Sequence, residues 1–191
     1  MNDFLNYINS FTSISEEAVS ELMKCFKTHQ LKKNEYFAKF GEYSNKIGFL
    51  KEGVVRAFFL NREAKEYNKQ FFVGPSIIGA YSSLLTKQSN KIAQQALTDC
   101  EVLVANFNEI EKLYKQFHDI ETLGRKIAEF YFLEKEQKEL EMALLTADKR
   151  YLLMRERFPT VELIIPQYHI ASYLGISATQ LSRIRRKLNM R

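Results

Sequence analysis

Three hydrophobic periods follow one another along this chain of 191 residues. Over residues 12–28 the apolar positions Ile14, Ala18, Val19, Leu22, Met23 and Phe26 share one side of a helix, with Ser13 or Ser15 placed to cap it. From Leu31 to Phe107 the pattern shortens to runs rich in Val, Ile, Phe and Tyr: Tyr36 to Phe40, Lys46 to Leu50, Val54 to Leu60, Lys69 to Val73 and Glu101 to Phe107. Gly41, Gly48, Gly53, Gly74-Pro75 and Gly79 punctuate them. Many short strands with turn signals at this spacing predict a sandwich, barrel or jelly roll. Beyond Asn108 the period lengthens again. Leu123, Ile127, Phe130, Leu133, Leu140 and Leu144 form a broad stripe over about 119–144, with Glu134/Lys138 and Lys135/Glu139 as i,i+4 pairs.

A long helix of this kind is either a core helix of the first domain or a seam between two copies. Its spacing near 3.5 and its freedom from proline favour self-pairing, with Leu123, Ile127, Phe130, Leu133 and Leu140 at the dimer interface. Thr146 then stands where it could cap a helix from Ala147 to Phe158, which Pro159 ends. Val161 to Ile165 reads as a short strand before Pro166. The fold class is α+β, divided into a β-rich body over 1–117, a linker and dimerisation helix over 118–145, and a helical end over 146–191.

The most specific local signal is Gln167 to Leu188, QYHIASYLGISATQLSRIRRKL. Ile170, Leu174, Ile176, Leu181 and Ile184 are apolar posts able to hold two short helices at a steep angle, and Ala171 is small at their crossing. Gly175 can take the positive φ that ends the first helix, and Ser177 can cap the second and offer its amides to a phosphate. With Leu181, Ile184 and Leu188 on the buried side, steps of about 100° bring Thr179, Arg183 and Arg186 outward together, with Ser182 beside them. Arginine can bond two guanine acceptors at once, while Thr and Ser reach base edges or phosphates, so Arg183 is expected to be the main base reader. Gln180, Arg185 and Lys187 fall on the flanks, where backbone contacts are natural. The expected DNA-binding set is therefore Ser177, Thr179, Gln180, Ser182, Arg183 and Arg186. An ordinary helical hairpin with a solvated basic face is the alternative.

Charge sharpens this picture. The net charge of +5 is unevenly divided. Residues 145–191 hold nine basic residues (Lys149, Arg150, Arg155, Arg157, Arg183, Arg185, Arg186, Lys187 and Arg191) against Asp148, Glu156 and Glu162, a net of +6. Residues 1–144 are close to neutral at −1. Such an asymmetry is the footprint of a nucleic-acid-binding end on a neutral body. Two isolated cysteines, Cys25 and Cys100, and three scattered histidines, His29, His118 and His169, spell neither a metal site nor a disulfide framework. No cofactor and no metal are expected, and no enzymatic role. Met1 to Ser10 lacks the pattern of a secretory signal, so a cytoplasmic protein without a membrane partner is expected.

Laid out this way, the chain resembles the Crp/Fnr family of bacterial transcription regulators, and more closely the variants of Bacteroidetes-type sequences. IASYLGISATQLSRIRRKL carries most of the resemblance, supported by KIGFLKEGVVRAFF and ALTDCEVLVAN. It implies a double-stranded β-helix with a cyclic-nucleotide-binding-like sensor role, dimerisation through the long helix, and a C-terminal helix-turn-helix of winged-helix type. It also implies binding to an inverted-repeat site in double-stranded DNA, with RNA polymerase as a further partner. The family's recognition residues map to Thr179, Ser182 and Arg183. Ala178 and Thr179 depart from its pattern, standing where many members have Arg and Glu. The sequence ends at Arg191, three residues past Leu188, so a truncated wing is expected.

The effector pattern departs further. Members that bind cyclic nucleotides hold the ribose with Gly-Glu and the phosphate with Arg-Ser or Arg-Thr. Here the matching stretches read Ile78-Gly79-Ala80-Tyr81 and Asn90-Lys91. No arginine occurs from Glu63 to Gly124, and no acid from Tyr67 to Thr98. Without a guanidinium fork or a carboxylate, cyclic nucleotides are not expected to bind, and the effector is unknown. Phe71 to Leu85 could wall a pocket for an uncharged ligand. The competing readings are a β-roll ligand-binding or protein-interaction module that does not read DNA and, more remotely, a cupin-like enzyme.

Overall fold

The computed structural model describes residues 2–61, 63 and 65–189; Arg191, counted above among the basic residues, lies outside them. Two short helices, α1 (Asn2–Asn9) and α2 (Glu16–Lys24), open the chain. The single helix expected over 12–28 is shorter at both ends, because Phe11 to Ser15 turns between α1 and α2 and β1 begins at Lys27. Ser15 rather than Ser13 caps α2, accepting from the Ala18 N–H at 3.4 Å. Its own N–H donates to Asp119 at 2.7 Å, which helps to hold that carboxyl below the usual carboxylate range.

Eight strands follow among the described residues: β1 (Lys27–Leu31), β2 (Tyr36–Ala38), β3 (Lys46–Glu52), β4 (Val54–Leu60), β5 (Glu66–Val73), β6 (Ser76–Gly79), β7 (Ala93–Ala96) and β8 (Cys100–Asn106). β1 pairs with β8, β2 with β7, β3 with β6 and β4 with β5, all antiparallel. That nested pairing is one long hairpin wound into two four-stranded sheets, β1-β8-β3-β6 and β2-β7-β4-β5, which is a double-stranded β-helix. Leu31, Phe37, Leu50, Val55, Ile78, Ala96, Cys100 and Val102 fill the space between the sheets. Burial pushes the Cys100 thiol up.

A second apolar cluster covers the outside of the first sheet. Phe4 and Ile8 of α1, Leu22 of α2, Ile110 and Leu113 of α4 (Phe107–Tyr114) and Ile120 and Leu123 of the long helix α5 (His118–Leu144) close over Phe49. Burying each such side chain stabilises by about 1.5–3 kcal/mol. A short helix, α3 (Tyr81–Thr86), lies between β6 and β7. No helix among the described residues is long and apolar enough to cross a membrane.

The chain ends in α6 (Ala147–Arg157), α7 (Val161–Ile164), α8 (Gln167–Leu174) and α9 (Ala178–Asn189). Two expectations fail here. Val161 to Ile165 is a helical turn and not a strand. Val161 and Ile165, four apart, are 0% and 5% exposed, whereas Leu163 between them is 83% exposed; helical spacing satisfies this where alternation would not. Thr146 precedes α6, but its side chain makes no capping bond. Arg150 instead joins two helix ends, donating to the carbonyls of Leu145 (2.5 Å) and Leu174 (3.0 and 3.2 Å).

The four C-terminal helices do not stand apart from the roll. Phe71 of β5 stacks on Tyr173 of α8 with ring centres 4.8 Å apart and meets Phe158 edge-on at 6.1 Å. Val54, Phe71 and Leu97 of the roll share one apolar cluster with Tyr151, Met154, Ile170, Leu174, Leu181 and Ile184.

Candidate nucleic-acid interface

The turn between α8 and α9 follows from its residues. Gly175 has φ 68° and ψ 33°, the left-handed conformation that glycine adopts without cost. The Gly175 N–H donates to Ser172 O at 3.2 Å and the Ile176 N–H to Ala171 O at 3.0 Å, satisfying the end of α8. A side chain at 175 would also come within 2.7 Å of the Met142 methyl of α5. Ser177 then caps α9, its Oγ accepting from the Gln180 N–H at 3.1 Å.

Burial splits α9 along its length. Leu181 and Ile184 are 1% and 5% exposed, and Leu188 packs beside them. Thr179, Gln180, Ser182, Arg183 and Arg186 are all exposed, and Ala178, Thr179, Ser182, Arg183 and Arg186 line one shallow depression. Among the described residues, none of these side chains has a hydrogen-bond or ion-pair partner. The flanking cations behave differently. Arg185 pairs with Glu162 at 2.8 Å and Lys187 with Asp148 at 2.8 Å, so both are tied to the protein's own acids. Glu162 also accepts from the Tyr151 hydroxyl and pairs with Arg155 at 3.4 Å. Nothing in the local sequence announces these partners, which come from α6 and α7.

The residues expected at a dimer seam divide into two groups. Leu123 is 4% exposed inside its own chain's cluster, so it is a core residue and not an interface residue. The first half of α5 must cover α1, α2 and α4, and Leu123 and Ile127 serve that contact. Phe130 leans edge-on against Phe11 at 5.5 Å yet stays 43% exposed. Leu133 and Leu140 are 61% and 49% exposed, and Leu144 is 75% exposed. Steps of about 100° per residue put these three leucines within about 40° of one another. Phe132, which the helical stripe missed, is 61% exposed about 100° round the helix from Leu133.

Lys135 pairs with Glu139 at 3.4 Å as expected, but Lys138 does not pair with Glu134. Its ammonium lies 3.4 Å from the centre of the Tyr173 ring. Glu141, 4% exposed, meets Arg157 at 2.7 Å, and Arg157 reaches the Tyr173 hydroxyl at 3.4 Å. This elbow fixes α8 to the end of α5.

Between the roll and α5 runs a cavity of about 1140 Å³. Ala57, Gln70, Phe72, Ile78, Leu84 and Gln94 wall it from the roll, and Tyr131, Phe132 and Lys135 from α5. Among the described residues no arginine lines it, and the carboxylates that do all belong to α5. Gln94 donates to Gly79 O at 3.0 Å, while its Oε1 is buried with no partner among the described residues. Burial and nearby Lys135 lower the pKa of Lys69 at this cavity.

No protein-family profile matches the chain, and no curated protein sequence does. Solved structures do. FixK2 from Bradyrhizobium japonicum superposes with a TM-score of 0.74 at 20% identity, over 86% of this chain and 85% of that one. A protein from Eubacterium rectale assigned to the crp/fnr family of transcriptional regulators gives 0.74 at 12%, over 97% and 88%. CLP from Xanthomonas campestris, described as a global regulator responsive to c-di-GMP, gives 0.70 at 12%, over 92% of each chain. At such identities the likeness establishes a shared fold, roll and C-terminal helices included.

Proposed function

We propose that this chain is a sequence-specific, DNA-binding transcription regulator of the Crp/Fnr type. It works as a homodimer whose two α9 helices enter successive major grooves about 34 Å apart on an inverted repeat. The observation that carries this reading is the outer face of α9: Thr179, Ser182, Arg183 and Arg186 gathered in one exposed patch, with no partner among the described residues. Arg183 reads a base edge, Thr179 and Ser182 contact bases or phosphates, and Ser177, Gln180 and Arg186 set the register. Arg185 and Lys187 serve the fold instead, since Glu162 and Asp148 already hold them.

The dimer forms through the second half of α5, along Leu133, Leu140 and Leu144 with Phe130 at the edge. Leu123 has no part in it. Residues 1–117 act as the sensor, 118–145 as the link and 146–191 as the reader. RNA polymerase is the partner that such a regulator serves. The roll cavity does not suit a cyclic nucleotide, whose phosphate calls for a guanidinium that no described residue of the lining supplies. An apolar molecule with one hydrogen-bond donor for Gln94 suits it better.

Selection of bound sequences from a random duplex library tests the reading. It should enrich an inverted repeat whose affinity falls steeply with salt, by close to one logarithmic slope unit per phosphate neutralised. If no sequence is enriched at low salt, the chain is a ligand-binding module instead.

A further inference from the structure

Arg56 points from β4 toward the helical end of the molecule, and only 4% of it is exposed. Its Nε and Nη2 donate to Gln95 Oε1 at 3.0 and 2.7 Å. Its Nη1 donates to Glu66 at 2.5 Å and Asn68 Oδ1 at 3.3 Å, and lies 3.2 Å from Nδ1 of His169 on α8. Asn68, 5% exposed, places its Nδ2 at 3.0 Å from His169 O and 3.2 Å from His169 Nδ1. Its N–H donates to Ser172 Oγ at 3.0 Å, and that hydroxyl donates to Glu66 O at 3.1 Å. Two strands of the roll thus grip one helix of the helix-turn-helix through a polar cluster.

The chemistry of the donors fixes the state of His169. A guanidinium can only donate, and Arg56 orients the Asn68 amide by bonding its oxygen, which turns the amide nitrogen toward the ring. Nδ1 therefore faces two donors and must offer its lone pair. A proton there would set N–H against N–H and place a second cation 3.2 Å from Arg56.

We propose that this cluster is a proton-operated latch: Arg56, Glu66 and Asn68 hold α8 against the roll while His169 is neutral, and let it go when His169 takes up a proton. The charged groups facing His169 among the described residues are Arg56 from β4 and Glu66 from β5; the Tyr168 ring lies 4.2 Å away on its own helix. Glu66, with its side chain 44% exposed, sits at the rim and is already committed to Arg56. Burial first, and then Arg56, pull the His169 pKa down to about 4 against a smaller pull from Glu66. A released histidine titrates near 6.5. Docking is accordingly complete above that pH and weakens as pH falls from about 6.5 toward 4, with the docking equilibrium about tenfold lower at pH 5.5 than at 7.5. Because α8 and α9 share buried contacts through Ile170, Leu174, Leu181 and Ile184, release of α8 changes the aim of α9. The latch does not depend on what α9 binds.

Hydrogen exchange on the full chain at pH 7.5 and 5.5, corrected for intrinsic rates, tests it without DNA. Amides of residues 66–73 and 167–174 should lose about tenfold protection at the lower pH in the wild type. They should lose none in His169→Gln, whose side-chain oxygen accepts from Arg56 and Asn68 but takes no proton. Equal responses in both proteins, or none in the wild type, overturn the proposal. If His169→Gln does not fold, the imidazole titration followed by NMR in the wild type, assigned through Tyr168, decides: a midpoint near 4 supports the latch and one near 6.5 removes it.

Discussion

α8 and α9 are separated by three residues, and they use their polar side chains in opposite ways. On α8, His169, Ile170, Ala171, Tyr173 and Leu174 are all buried, and two of its polar side chains bond to the roll: His169 to Arg56 and Asn68, Ser172 to Glu66 and Asn68. On α9 the buried positions among the described residues are Leu181 and Ile184, and Thr179, Ser182, Arg183 and Arg186 face solvent. Arg56 and Arg183 make the contrast sharpest, one guanidinium filling its donors within the fold and the other keeping its donors for something outside. A polar side chain with internal partners fixes geometry, whereas an exposed, acid-free row of donors on a rigid helix is a surface prepared for an acceptor-rich partner.

The largest effect expected is on the α8 side. Ile170, 0% exposed, lies in the cluster that joins the roll to both helices, so Ile170→Ala should cost about 3 kcal/mol of stability in urea unfolding. A loss below about 1 kcal/mol would mean that α8 is not a structural element after all. On the α9 side, Arg183→Ala should leave stability within about 0.5 kcal/mol of wild type. It should nevertheless weaken the selected duplex by about 10- to 100-fold, a discrimination of about 1–3 kcal/mol, with a smaller loss on random DNA. Equal losses on both would make Arg183 a phosphate contact and shift base reading to Thr179 and Ser182.

The same contrast explains what could be read from the sequence. α9 was legible because its two faces are written at helical spacing within twelve residues, and the left-handed turn requires a glycine that stands at 175. The roll was legible where strands carry contiguous apolar runs, as in VVRAFFL of β4. β1 (KTHQL, with only Leu31 buried) and β7 (AQQA) carry no such run; they are strands because β8, β2 and β4 pair with them. Long-range polar partners were out of reach for the same reason. Arg56 and His169 are 113 residues apart, and no period links them. Leu123 and Leu133 belong to one stripe, yet the first is covered by α1, α2 and α4 while the second is bare, and only the packed structure separates them.

The smallest expected effect tests where the two regimes meet. Lys138 leaves α5 at the elbow, half-buried over Tyr173 with Glu141 and Arg157 nearby. Burial lowers its pKa to about 8; Glu141 opposes this, while Arg157 and Arg150 add to it. An unfolded lysine titrates near 10.4, so between about 8 and 10.4 the unfolded chain binds the extra proton and stability rises with pH. At neutral pH the folded protein carries a poorly solvated cation, which the Tyr173 ring only partly compensates. Lys138→Met keeps the packing without the charge, and should gain about 1 kcal/mol in urea unfolding at pH 7 while flattening the rise toward pH 9.5. A loss at pH 7 would show that the cation–ring contact outweighs desolvation, and that α8 is held by charge on its α5 side as well as on its roll side.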